Sequence, residues 1–237
     1  YVPTTDAARY LPRENHHVYN GSAWVKEGYL HEPETATNLF TYSNDFTNGW
    51  VNASHNTITA SEAVGPDGEA SLSRFEIENA LNTDHYRAFS FSGVAGSTYT
   101  LSGFVRAGEV TAVNLNFLKG ASEWVTAYFD LSTGTVGTTA VGGTSGTLIA
   151  AGIEEVAVGL YFVYLTGTIT GSFIQCSIGS ASSSAPAVNS SDGKDDYSGV
   201  VGEGFFLGFA QLEEGSVPTS YIPTAGSTVT RAADTLT

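Results

Sequence analysis

The chain of 237 residues is long enough for one large β-sandwich or two small domains, and its 41% hydrophobic content supports a packed core. With 24 acidic residues against 9 basic ones it carries a net charge of −15, which repels nucleic-acid phosphates and anionic lipid and argues against both as partners. No apolar run approaches the roughly 18 residues of a membrane helix, so helical membrane insertion is not expected. The 27 Gly, 13 Phe and 12 Tyr, with only 14% charged residues, read as strands and turns. The absence of Met leads to the expectation of an excised module. The single Cys176 excludes an internal disulfide and is expected as a buried small hydrophobe on a strand.

Residues 1–37 are polar and irregular, punctuated by Pro3, Pro12 and Pro33. They predict an N-terminal arm with one short hairpin, in which Asn20-Gly21 turns Val18-Tyr19 back onto Ala23-Trp24-Val25. Further on, strands are predicted at 39–42, 57–60, 70–77, 85–91, 97–106, 112–118, 124–130, 153–165, 172–178 and 204–212. Turn chemistry separates them at Pro66-Asp67-Gly68, Ala95-Gly96, Lys119-Gly120 and Ser132-Thr133-Gly134. Residues 142–147 form a Gly/Thr-rich loop and 180–199 a Ser- and Asp-rich one. The strand at 204–212 has bulky residues on both faces, which places it inside a sheet; the chain then breaks at Gly215 and Pro218. No helical period persists over three turns. The pattern predicts an all-β fold: an arm over 1–37, a β-sandwich over 38–215 and an extended tail or linker over 216–237.

The stretch 205–231, FFLGFAQLEEGSVPTSYIPTAGSTVTR, carries a resemblance. Gln211, Leu212, Glu213, Glu214, Gly215, Pro218 to Thr224, Gly226 and Thr230 to Asp234 match the close of a module found in phage tail and tail-fibre proteins. Trp24, Glu27, Gly28, Leu30, Glu32, Thr37, Asn38, Leu39, Ser43 and Phe46 resemble its opening, with Tyr29 a departure. The segments 95–109 and 128–138 match its middle, and 95–109 is also similar to jelly-roll carbohydrate-binding modules of the galactose-binding-like or concanavalin-like kind. Where many such modules have Trp-Tyr-Arg after Gly159, this chain has Leu160-Tyr161-Phe162, so a ligand site using that Trp or Arg must differ here. Tyr1-Val2-Pro3-Thr4 is echoed by Tyr221-Ile222-Pro223-Thr224, each followed by an Arg (Arg9 and Arg231), as in tandem modules. The resemblance implies a jelly-roll sandwich, neighbouring modules of the same kind as partners, and a place in a virion tail or outside the cell.

Enzyme signatures are missing: there is no Gly-x-Ser-x-Gly elbow, no His-Glu-x-x-His and no phosphate loop. Glu154-Glu155 and Glu213-Glu214 are strand neighbours that point to opposite faces. Glu76 and Glu78 share a face and are the one pair spaced for glycoside cleavage. A sugar site needs an aromatic platform with a few polar groups. Trp124 and Tyr128 alternate against Val125, Ala127 and Phe129, and Asn114 and Asn116 against Val113, Leu115 and Phe117. Trp124, Tyr128, Asn114, Asn116 and Arg106 are therefore expected on one ligand face, with Tyr86 and Arg87 beside it. The jelly-roll resemblance implies a structural calcium between the first turn and the last strand, where Asp45 and Glu213 or Glu214 offer hard oxygens. The expectation is a non-catalytic module that binds polysaccharide. A structural spacer with no sugar site, and a polysaccharide-cleaving enzyme, are the alternatives.

Overall fold

The computed structural model describes residues 17–20, 22–26, 30–120, 122–171, 173 and 175–234. The Tyr1-to-Thr4 echo, Arg9, His16, Gly21 and residues 27–29 lie outside them. Ahead of the sandwich, β1 (His17–Tyr19) and β2 (Trp24–Lys26) form the hairpin expected at Asn20, whose carboxamide oxygen accepts from the Ser22 and Ala23 amides. β3 (Ala36–Asn38) leads into the sandwich.

Alternation then does the building. In β10 (Ala112–Gly120) and β11 (Glu123–Asp130), Val113, Leu115, Phe117, Val125, Ala127 and Phe129 point to one side and are fully buried. The sandwich is completed by β4 (Val51–Ser54), β5 (Asn56–Val64), β6 (Ala70–Ile77), β8 (His85–Ser90), β9 (Thr98–Ala107), β12 (Thr135–Gly142), β13 (Gly146–Ala157), β14 (Leu160–Ile169), β15 (Gln175–Ser180) and β17 (Gly204–Glu214). Short β7 (Asn82–Thr83) and β16 (Tyr197–Ser198) pair with each other, and β18 (Val229–Arg231) pairs with β3.

The result is two six-stranded antiparallel sheets, ordered β12-β11-β10-β15-β8-β4 and β13-β14-β9-β17-β6-β5. Their inner faces share one core that includes Phe75, Leu101, Val105, Val163 and Phe205 from one sheet and Val113, Phe117, Cys176 and Ile178 from the other. β10, β11 and β12 are consecutive, and β15 returns beside β10 after the β13–β14 hairpin in the opposite sheet, a Greek-key order that makes this a jelly-roll type of sandwich. Burial keeps the Cys176 thiol protonated, its pKa pushed far up.

Three readings of the sequence differ from this picture. The strand expected at 153–165 is a hairpin that turns at Gly159, where φ is +67°. β4 and β12 were not foreseen; β12 alternates only weakly, because it is a half-exposed edge strand. The strand expected at 39–42 begins earlier, as β3, and leaves Tyr42 with only a bridge to Ala225.

The tail after β17 is extended but docked. Ile222 and Arg231 are each only 1% exposed. Asn38 fixes it: its Nδ2 donates to the carbonyls of Ala210 and Ile222, and its Oδ1 accepts from the Phe40 and Leu212 amides. Gln211 Nε2 faces the Thr219 and Ser220 carbonyls, while its Oε1 accepts from the Ile222 amide at 2.7 Å. Arg231 meets Glu32 at 3.4 Å, and Asp234 and Glu32 exchange backbone and carboxylate hydrogen bonds. Asn38→Ala is expected to destabilise the fold by about 2–4 kcal/mol, because it orphans buried backbone groups on two segments at once. Urea unfolding of the variant against wild type measures it, with the midpoint falling at unchanged slope.

Candidate functional site

The sheet containing β10 and β11 presents an outer face with the residues the alternation predicts. Trp124 and Tyr128 stand beside Asn114 and Asn116 in register, and Tyr86 lies two strands away on β8. This face is not open. Residues 181–196 fold across it: the Ser190 carbonyl accepts from Trp124 Nε1 at 3.2 Å, the Asp192 carbonyl from Asn116 Nδ2 at 3.0 Å and the Gly193 carbonyl from the Tyr128 hydroxyl at 3.0 Å. Val188 packs with Tyr128, Ala112 and Ala181. Lys194, 2% exposed, sets its ammonium 4.1 Å from the centre of the Tyr86 ring and pairs with Asp192.

The loop holds this shape through its own side chains. Asn189 Oδ1 caps the Ser191 amide, Asp192 Oδ1 the Lys194 amide, and Gly193 takes a φ of +79° directly against the Trp124 ring. Trp124 is left 5% exposed and Tyr128 not at all. Burial first, then Asp195 and Asp192, push the Tyr128 phenol far up; burial, then Asp84 and Asp192, do the same for Tyr86. Both stay protonated, and Tyr128 donates to the Gly193 carbonyl. The two remaining residues of the expected group lie elsewhere. Arg87 turns inward on β8 and donates to the Asn56 carbonyl, and burial lowers its pKa. Arg106 is on β9, in the opposite sheet.

The opposite sheet has an outer face that is partly open: the docked tail covers it at Gln211, and Leu160, Ser102 and Phe209 are buried, while the rings described next stay partly exposed. Register sets its side chains in rungs: Leu160, Arg106, Phe206 and Arg74 across β14, β9, β17 and β6, then Phe162 and Phe104 next to Gly208, then Tyr164, Ser102 and Gln211. Phe104, Phe162, Tyr164 and Phe206 are all partly exposed. Phe104 and Phe162 lie 5.1 Å apart, Phe162 and Tyr164 6.3 Å, and Phe104 and Phe209 5.8 Å. Phe209 reaches this face through a bulge between Gly208 and Gln211 that holds it at a φ of +53°, a strained conformation for a bulky side chain. Its amide donates to Asn44 Oδ1 and its ring meets Tyr221 of the docked tail.

Arg74 sits over Phe206 at 5.4 Å and is taken up by Glu109 at 2.7 Å and Glu76 at 3.3 Å. Leu160 and Phe162, where the chain departs from the Trp-Tyr-Arg of similar modules, both belong to this face. Alternation alone missed Phe162, Tyr164 and Phe206. The first two were read into one long strand, and the third precedes a bulge that reverses parity.

The acidic residues expected to hold calcium are engaged separately. Asp45 accepts from the Thr47 amide and hydroxyl and from Asn48, and these hydrogen bonds lower its pKa. Glu214 accepts from the Ser97 hydroxyl on an exposed edge. Glu213, 1% exposed, accepts from the Thr219 amide and hydroxyl and from Gln211 Nε2. Among the described residues no three His, Cys, Asp or Glu side chains form a group suited to a metal ion. Glu76 is held by Arg74, whereas Glu78 follows the end of β6 and acts on Arg87.

No family model and no curated protein matches the sequence. Among solved structures, the chain is similar to the N-terminal CBM22-1–GH10 modules of the endo-1,4-β-D-xylanase 10B of Clostridium thermocellum, complexed with xylohexaose. The identity is 14% and the TM-score 0.38, over 82% of this chain and 30% of that one.

Two outcomes follow from this geometry. Trp124→Ala empties a filled site beneath the loop and is expected to cost about 3–5 kcal/mol in urea unfolding. For Glu213, burial raises the folded-state pKa above the unfolded value of about 4.3. The folded protein then binds the proton more readily, so this contribution favours the fold at acid pH and is lost as pH rises through the folded pKa. Relative to Glu213→Gln, wild type is expected to lose stability as pH rises above the unfolded value of about 4.3 and through the raised folded-state pKa. Depressed carboxylates such as Asp45, Glu109 and Asp130 act equally in both proteins and cancel in that difference.

Proposed function

We propose that the protein is a non-catalytic carbohydrate-binding module, and that its ligand face is the outer face of the β13-β14-β9-β17-β6-β5 sheet. The observation that carries this reading is the run of partly exposed rings, Phe206, Phe104, Phe162 and Tyr164, on adjacent strands with Arg106 among them. Strands about 4.8 Å apart, with same-face residues about 6.7 Å apart along each, space such rings to meet successive sugars of an extended chain. The C–H faces of pyranoses pack on aromatic rings, and the Arg106 guanidinium offers hydrogen bonds to polar groups of the sugar. The sequence resemblance adds the setting: a phage tail or tail-fibre protein with neighbouring modules, acting in the virion or outside the cell.

The second reading is a structural spacer. Against it stands the way the chain enters and leaves the sandwich. β3 and β18 are antiparallel neighbours, and Glu32 and Asp234 are hydrogen-bonded to each other. Entry into the sandwich and exit from it therefore lie side by side. That suits presentation of a face better than spacing along an axis.

Affinity electrophoresis through gels containing a panel of neutral and acidic polysaccharides tests the reading. Wild type is expected to be retarded by at least one, and Phe162→Ala and Tyr164→Ala to lose about tenfold or more in affinity while staying folded. Each truncation removes a partly exposed ring, at a stability cost of about 1–2 kcal/mol. Normal binding by both folded variants would exclude this face; no retardation of folded wild type by any polymer would favour the spacer.

A further inference from the structure

The guanidinium of Arg106 stands out on that face for what it lacks. On that face Arg74 is held by Glu109 and Glu76; elsewhere Lys194 pairs with Asp192 and Arg231 with Glu32, while Arg87 in the other sheet also makes no ion pair with the described residues and has an unpartnered buried Nε, but donates to the Asn56 carbonyl. Arg106 makes no ion pair with the described residues, and its Nε is buried without a hydrogen-bond partner. This happens in a chain with 24 acidic residues, where a carboxylate partner is easily supplied. Instead its cross-strand neighbours are Leu160 on one side and Phe206 on the other, and Phe104 lies two residues back on the same face.

An unpaired, part-buried cation between apolar side chains loses solvation and recovers little from the protein. A planar carboxylate meets the guanidinium fork with two parallel hydrogen bonds, stronger than contacts between neutral groups. We infer that Arg106 reads a carboxylate on the bound glycan, so that the ligand is a uronic-acid-bearing polysaccharide rather than a neutral one. This rests on the carbohydrate-binding reading above, and it narrows the ligand class.

The net charge of −15 opposes a polyanion at long range. That opposition decays over a Debye length of about 8 Å at physiological salt, whereas a contact at a part-buried guanidinium is screened less. Phe206 is flanked on its other side by Arg74, whose two carboxylate partners, Glu109 and Glu76, leave that end of the rung with one net negative charge, so a ligand carboxylate is favoured at Arg106 and not at Arg74.

The test compares polyuronates, the same polymers after reduction of the carboxyl groups to alcohols, and a sulfated polysaccharide, each in affinity gels with wild type, Arg106→Gln and Arg106→Lys. Wild type is expected to bind a polyuronate at least tenfold more tightly than its reduced counterpart. Arg106→Gln should lose that preference, its affinity falling at least tenfold further for the polyuronate than for the reduced polymer; Arg106→Lys, with charge but no fork, should fall between. Binding of the reduced polymer as tight as that of the polyuronate, or a polyuronate affinity unchanged in a folded Arg106→Gln protein, would overturn the carboxylate assignment and leave the carbohydrate-binding reading standing. Preference for the sulfated polymer over every polyuronate would also overturn it. Failure of wild type to bind any polymer, neutral or acidic, would overturn both.

Discussion

Two buried carboxamides, those of Asn38 and Gln211, set the order in which everything around β17 must assemble. Each uses both ends of its amide: Asn38 donates to carbonyls of β17 and the tail and accepts from the Phe40 and Leu212 amides, and Gln211 donates to the Thr219 and Ser220 carbonyls and accepts from the Ile222 amide. A buried amide of this kind is costly when half satisfied, so the strand after β3, the central strand β17 and the tail at 219–222 are stable only together. The same logic extends outward. Arg231, 1% exposed, needs Glu32, and Glu213 needs Thr219 and Gln211. The run from Gln211 to Asp234 is therefore a docking segment whose polar residues are partners to one another and to residues 32–38. Pro218, Pro223 and Gly215 keep it extended between those contacts.

Docking the tail also determines what the partly open face looks like. The Ala210 amide donates to the Ser43 carbonyl and the Phe209 amide to Asn44, which pins the bulge where β17 runs past the first turn. Without the bulge, parity would carry Phe209 inward. With it, the Phe209 ring turns out onto Phe104 and Tyr221, and the aromatic layer becomes continuous from the tail to β14. A positive φ at a phenylalanine costs about 1–2 kcal/mol. The contacts of the rest of the segment hold it there.

The two outer faces show what a sequence read strand by strand reveals and where it stops. Alternation in 112–118 and 124–130 placed Trp124, Tyr128, Asn114 and Asn116 on one face because those strands are regular and each pairs over its whole length. What covers that face comes from residues 181–196, whose polarity reads as an exposed loop. The loop is polar for a different reason: it meets the sheet with backbone carbonyls, which take the Trp124, Asn116 and Tyr128 donors, and uses its Asn, Asp and Gly residues to hold that curve. Backbone acceptors leave no trace in side-chain pattern. On the other sheet, Arg106 and Phe104 were visible, yet Phe162 and Tyr164 needed the turn at Gly159 and Phe206 needed the bulge before their direction could be known. The signature at 205–234 was legible as a pattern; its role as a clasp was not, since its partners at 32–44 lie far away in sequence.

That clasp also bears on mechanics. Chain attached at residues 32 and 234 would pull on two segments that are adjacent and antiparallel, so a load would open the Glu32–Asp234 contacts and then the β3–β18 pairs one after another. Sequential opening resists little force, because each hydrogen bond bears the load alone. A spacer in a loaded fibre is better built with its ends at opposite poles, where the strands are sheared together.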